Sequence, residues 1–120
     1  MNIESFIISY LLTALATTVG TTTVTIPVYG DVPETLPDQF VTVEMTGLNK
    51  QDKVSTATIA VQSWDTTRAN AAALNDKVIA AMEAMISKDE ISKCALDTAY
   101  NYTDLTRKKP RYQAVFSVVY

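Results

Sequence analysis

Cys94 is the only thiol in a chain of 120 residues that contains no histidine. Nucleophilic catalysis needs an activated nucleophile with a base beside it. Histidine is the commonest such base near neutral pH and the commonest metal ligand. Cys94 therefore reads as a small buried apolar residue, and the serines and threonines lack a base for the same reason. One cysteine permits neither an internal disulfide nor a multi-cysteine zinc site, and it suits a reducing compartment. Paired carboxylates for acid–base work are sparse. Asp89 and Glu90 are adjacent but read as a solvated turn after a long helix. Asp31, Glu34 and Asp38 share a proline-rich segment and could hold a hard cation through oxygen, yet their spacing matches no calcium loop. With three glycines, the chain carries no phosphate-binding or dinucleotide-binding fingerprint. The residues that could do chemistry thus point away from an enzyme, and no cofactor or metal is expected.

Charge is distributed more informatively than its net value of −3. Up to Asn49 the acids are Glu4, Asp31, Glu34, Asp38 and Glu44, with no Lys or Arg; all ten bases follow from Lys50 onward. Four of them, Arg107, Lys108, Lys109 and Arg111, fall within five positions. An acidic chain is a poor free binder of nucleic acid. The basic cluster reads first as a solvated loop and second as a contact for an acidic protein surface. Hydrophobic residues make up 48% and charged ones only 19%. That supplies a core and leaves apolar surface, which usually meets a partner.

The elements that must position these residues read as follows. Ile3 to Ala16 is a helix with a broad apolar stripe through Ile3, Phe6, Ile7, Tyr10, Leu11, Ala14 and Leu15, widened by Ile8 and Leu12, and stopped by Gly20. Thr21 to Val28 is a β-branched strand. Gly30 to Asp38, with Pro33 and Pro37, is an extended, exposed connection. Val32 and Leu36 within it either tuck onto the core or face a neighbour. Phe40 to Thr46 alternates as a half-buried strand, with Phe40, Thr42 and Glu44 opposite Val41, Val43 and Met45. A polar turn over Gly47–Lys53 joins it to a strand Val54–Trp64, with Gly47 and Asn49 available for positive φ. Asp65, Thr66 and Thr67 offer N-caps for a helix running through about Ser87. Its inner face carries Ala71, Leu74, Val78, Ala81, Met82 and Met85, with Asn75, Asp76 and Glu83 turned away. Ile91 to Leu96, and the Tyr100/Tyr102 pair, read as irregular strand. Thr103 to Pro110 is a charged connection, and Tyr112 to Tyr120 is a final strand. Trp64 reads as packing at a strand end or as an interface anchor.

This order predicts one α+β domain over 1–120, with a mixed or antiparallel sheet of about five strands flanked by an N-terminal helix and a long central helix. The uncharged run 5–30 is broken by threonines and Gly20, and its most apolar part is about half a bilayer span, so no transmembrane helix is expected. Ala14-Leu15-Ala16 resembles a signal-peptide cleavage box. The start nevertheless carries Glu4 and no base where a positive region is expected, so no secretion is expected either.

Several pieces in order carry a family resemblance. They are Val32-Pro33 with Leu36-Pro37, Phe40-Val41-Thr42-Val43-Glu44 leading to Thr46-Gly47, and the strand ending Val61-Gln62-Ser63-Trp64. A helix with Arg68, Ala69 and Ala72-Ala73-Leu74 follows directly, and Pro110-Arg111-Tyr112-Gln113 opens the last strand. Together, over about residues 25–120, this resembles the tail-terminator (tail-completion) proteins of long-tailed bacteriophages and prophages. Leu48 stands where family members often show a second glycine, which leaves the turn type open. The resemblance implies an α+β subunit without catalytic activity that assembles as a ring, typically hexameric, on the end of the tail tube. There it would stop polymerisation and present a surface to head-completion proteins. Its expected partners are copies of itself, the tail tube protein and a head-completion or connector protein, at the head–tail junction of a virion assembled in the bacterial cytoplasm. Nucleic acid and membrane are not expected partners.

Ring closure uses two different patches. The sequence offers an acidic proline loop (Asp31, Val32, Glu34, Leu36, Asp38) and a basic one (Arg107, Lys108, Lys109, Arg111), expected to meet between neighbours and to orient them more than tighten them. Another head–tail connector or minor capsid protein, and a ligand-binding α+β module unrelated to phage, are the alternatives. A deep apolar pocket with convergent polar groups would favour the last.

Overall fold

A computed structural model describes all residues, Met1–Tyr120. Asn2 starts helix α1 (Ile3–Ala14) by accepting the Ser5 amide at 3.1 Å through its side chain, which satisfies one of the free N–H groups of the first turn. Ile3, Ile7, Leu11 and Leu15 recur at i, i+4 and are buried, whereas Leu12, one position off the stripe, is exposed. The helix ends at Ala14, short of the expected Ala16.

Gly20 does not stop that helix. It has φ 63° and turns a small hairpin of β1 (Thr17–Val19) and β2 (Thr22–Val24), at the first turn position, where a type II′ hairpin needs a left-handed residue. The strand expected over Thr21–Val28 is therefore split. Pro27 has no N–H to offer a ladder, and the chain resumes pairing only at β3 (Val28–Tyr29).

β3 pairs in parallel with β4 (Phe40–Gln51), which pairs antiparallel with β5 (Val54–Trp64). The reversal between β4 and β5 lies at Asp52 and Lys53, with φ 51° and 65°, not at Gly47 or Asn49. Two successive left-handed residues define a type I′ turn, whose twist matches the strands. Gly47 instead follows a β-bulge between Met45 and Gly47, where the pleat slips by one residue.

Helix α2 (Arg68–Ala84) is capped by Thr67, whose hydroxyl accepts the Asn70 amide at 3.1 Å, and it tightens into a 3-10 turn over Met85–Ser87. Ala71, Leu74, Val78, Met82 and Met85 are buried as expected. Asn75, expected to face outward, is buried too, one turn after Ala71, and its Oδ1 has no hydrogen-bond partner. β6 (Lys93–Asn101) is a single strand with a bulge at Leu96/Thr98, and that slip explains its irregular sequence pattern. β7 (Arg111–Val119) completes a five-stranded mixed sheet of order β3-β4-β5-β7-β6, separate from the β1–β2 hairpin.

The fold is α+β: α1 and α2 cover one face of the mixed sheet. Val43, Val61 and Ala114 stand in register on that inner face, as do Ile59 and Phe116, and they join the helices in the core. The molecule measures 43 × 39 × 23 Å, a two-layer slab with both helices on one side of the sheet. No helix is long and apolar enough to cross a membrane.

Candidate interaction surface at the loop end of the sheet

Phe40, Trp64 and Arg111 stand side by side in register on the outer face, at one end of the sheet. Parallel pairing of β3 with β4 obliges the chain to return to its starting end before β4 begins. The segment Gly30–Gln39 makes that return, and its first residues border the outer face beside Thr42, Gln62 and Trp64. Phe40 and Thr42 are therefore buried as well as Val41 and Val43, where alternation alone predicts one wet face. Trp64 is fully buried, stacked on Phe40 at 5.1 Å between ring centres with 13° between planes. It is a packing residue, not an exposed anchor.

A hydrogen-bonded row crosses four strands here. Trp64 Nε1–H donates to Thr42 Oγ1 at 3.0 Å, and the Thr42 hydroxyl donates to Gln62 Oε1 at 2.6 Å. Gln62 Nε2 then donates to Gln113 Oε1 at 2.6 Å, and Gln113 Nε2 donates to the Tyr100 hydroxyl. Every donor points the same way, from the buried indole to the exposed tyrosine, so each bond polarises the next. Sequence reading missed this row; its only trace is a polar residue at the matching outward position of each strand.

The basic connection is built around Asp104, a residue the sequence did not single out. Its Oδ1 accepts the amides of Thr106 and Arg107, both at 2.9 Å, and its Oδ2 accepts Arg107 Nη1 at 2.6 Å. A backbone pair between Asp104 and Lys109 closes the loop. The Arg107 amide, helped by the Arg107 and Arg111 charges, holds the Asp104 carboxyl below the usual carboxylate range against the opposing effect of burial. The readable signal was an aspartate opening a turn, since that side chain bonds the backbone two residues on.

The structure brings the acidic and basic segments together within one chain. Lys109 Nζ donates to the Asp38 carbonyl at 3.0 Å. Arg111 lies with its guanidinium 4.7 Å from the Trp64 ring centre and 4.2 Å from that of Tyr102, and its Nε donates to the Tyr102 carbonyl at 2.7 Å. With Arg107 bound to Asp104, three of the four bases are engaged at home, and Lys108, at φ 53°, is the exposed remainder. Asp31, Glu34 and Asp38 project outward, while Val32 and Leu36 are half-buried. The two charged segments thus share one end of the sheet and do not form two separate edges.

Cys94 is half-buried on the inner side of β6, in register with Val118. Burial, reinforced by the Glu83 charge, pushes its thiol up to about 11, so at neutral pH it is not a thiolate. The sequence matches no protein-family model and no curated protein.

Proposed function

We propose that this chain is a structural subunit that assembles as a ring, typically hexameric in the family it resembles, on the end of a bacteriophage tail tube. It terminates tube growth there and offers its free face to head-completion proteins. The observation that carries this reading is where the apolar surface sits. Val19 (69% exposed) and Val24 (57%) lie on the β1–β2 hairpin, Leu48 and Val54 on the far part of the β4–β5 hairpin, and Tyr102 and Leu105 (84%) beyond β6. They sit on projecting elements, and the one that lines a hollow, Val54, does so among polar residues of the β4–β5 turn. A small-molecule site concentrates apolar surface in a concavity, whereas exposed apolar patches on projections suit contact with other proteins. An isolated two-stranded hairpin is marginally stable in water, and all six strand residues of the β1–β2 hairpin are exposed. A neighbouring subunit would give it the third surface it lacks.

The loop end of the sheet contributes differently from the simple acidic-to-basic pairing that the sequence suggested. Arg107, Lys109 and Arg111 shape the surface from within, and Lys108 with Asp31, Glu34 and Asp38 forms its charged rim. Sedimentation of the purified protein with and without tail tubes, paired with negative-stain images of tube ends, tests the reading. Rings at the ends and tubes of limited length are expected. A chain that stays monomeric beside unfinished tubes, leaving their length unaltered, refutes it.

A further inference from the structure

The two ends of the sheet carry unlike charges. Near the loop end, Asp31 and Glu44 border a half-enclosed hollow of about 160 Å3 that includes Thr42, Gln62 and Trp64. Neither carboxylate has an ion-pair partner, since the single salt bridge of the molecule joins Arg107 to Asp104. Arg111 also borders the hollow, but its guanidinium is stacked on Trp64 and Tyr102. Two carboxylates against one guanidinium leave the hollow net negative.

The opposite end is the β4–β5 turn, where Lys50, Asp52 and Lys53 are all exposed, two ammonium groups against one carboxylate. Lys53 occupies a left-handed position, φ 65°, at which glycine is the ordinary residue of a type I′ turn. Glu44 and Asp52 are eight residues apart, which at about 3.3 Å per residue is about 25 Å along the strand. A lysine at the turn therefore cannot reach the hollow of its own chain. Between two copies arranged head to tail, the positive tip meets the negative hollow. The hollow has room for about five waters at roughly 30 Å3 each, which accommodates the end of a lysine side chain.

We propose that Lys53, at the tip of the β4–β5 hairpin of one copy, inserts into the Asp31–Glu44 hollow of the next. This inference rests on the self-assembly reading above and names its contact. The contact joins two different patches, the kind that closes a ring, and a close charge pair at its centre fixes the register of the two copies.

Lys53→Gly is the sharpest probe, because it removes the ammonium and relaxes the turn together. The thermal midpoint of the variant should equal or exceed that of the parent. Self-association, followed by sedimentation at low salt, should weaken at least about tenfold, as loss of a close interfacial charge pair predicts. Glu44→Lys should weaken association as much, and joining it to Lys53→Glu in one chain should restore it. In a Cys94→Ser background, mixing Glu44→Cys with Lys53→Cys should give a mixed disulfide dimer in excess of either same-variant dimer. Unchanged association of Lys53→Gly, or no restoration by the reversed pair, overturns the contact. If those variants still form rings at tube ends, the contact fails alone and the ring reading stands. If the parent chain neither self-associates nor caps tubes, the ring reading fails and takes the contact with it.

Discussion

Replacing Thr42 by valine keeps the branched shape of the side chain and removes its hydroxyl, a swap that is not neutral where the hydroxyl is bonded. In this molecule that hydroxyl is a relay: it accepts the Trp64 indole N–H and donates to Gln62 Oε1. Both neighbours are buried, so Thr42→Val strands one donor and one acceptor away from water. Each such group costs about 1–3 kcal/mol. Gln62 keeps its bond to Gln113 and can turn a little, which brings the expected total to about 2–4 kcal/mol. Against a domain stability of about 5–15 kcal/mol that is a large share, and for a chain of this size it corresponds to a thermal midpoint lower by about 10–15 °C. Thr42→Ser is the control. It keeps the hydroxyl and loses one methyl group, for about 0.5–1.5 kcal/mol. Urea and thermal unfolding give the free energies. Emission from Trp64, the only tryptophan of the chain, reports on the same spot. If Thr42→Val unfolds within about 0.5 kcal/mol of the parent while Thr42→Ser falls further, the row of hydrogen bonds does not stabilise this end of the sheet.

Other outcomes follow from the same surface. Arg111→Lys keeps the charge and loses the flat guanidinium held between Trp64 and Tyr102; it should cost about 1–2 kcal/mol and shift Trp64 emission to the red, and an unchanged spectrum would count against the stack. Because Asp104 titrates low in the folded chain, the stability it contributes is present above the unfolded carboxyl value of about 3.9 and is lost as pH falls through its folded value. The Thr106 and Arg107 amides should therefore lose exchange protection in acid, a step that Asp104→Asn should abolish, and acid-insensitive protection in the parent contradicts the assignment. The Cys94 thiol, raised to about 11, should alkylate far more slowly at neutral pH than a free thiol of about 8.5. Since its folded value lies above its unfolded one, its contribution to stability is present below about 8.5 and lost as pH rises towards the folded value. A mass-spectrometric alkylation profile across alkaline pH checks this, and rapid neutral labelling refutes it.

Local spacing was enough to determine the α+β class, the two helices, the start of β4, and strands β5 and β7, because the 3.6 and 2.0 periods are properties of short stretches of backbone. Ala71, Leu74 and Val78 declare an inner helix face, and Ala114, Phe116 and Val118 an inner strand face, without reference to any distant residue. Thr67 could be read as a cap for the same reason. Tertiary structure alone decided the rest. The parallel docking of Val28–Tyr29 on β4 brings Tyr29 against Phe40 and the start of the proline segment beside Trp64, and Lys109 and Arg111 of the distant basic connection complete the cover. Bulges at Met45/Gly47 and Leu96/Thr98 shift register in ways that alternation cannot reveal. Pairing runs on through most of the expected Gly47–Lys53 turn, so that only Asp52 and Lys53 reverse the chain, and the second bulge hid the continuity of β6. The row from Trp64 to Tyr100, and the meeting of Asp38 with Lys109, join residues far apart in the chain. Such contacts depend on which strands lie beside one another and in what register, and a chain sets those only when its whole core closes.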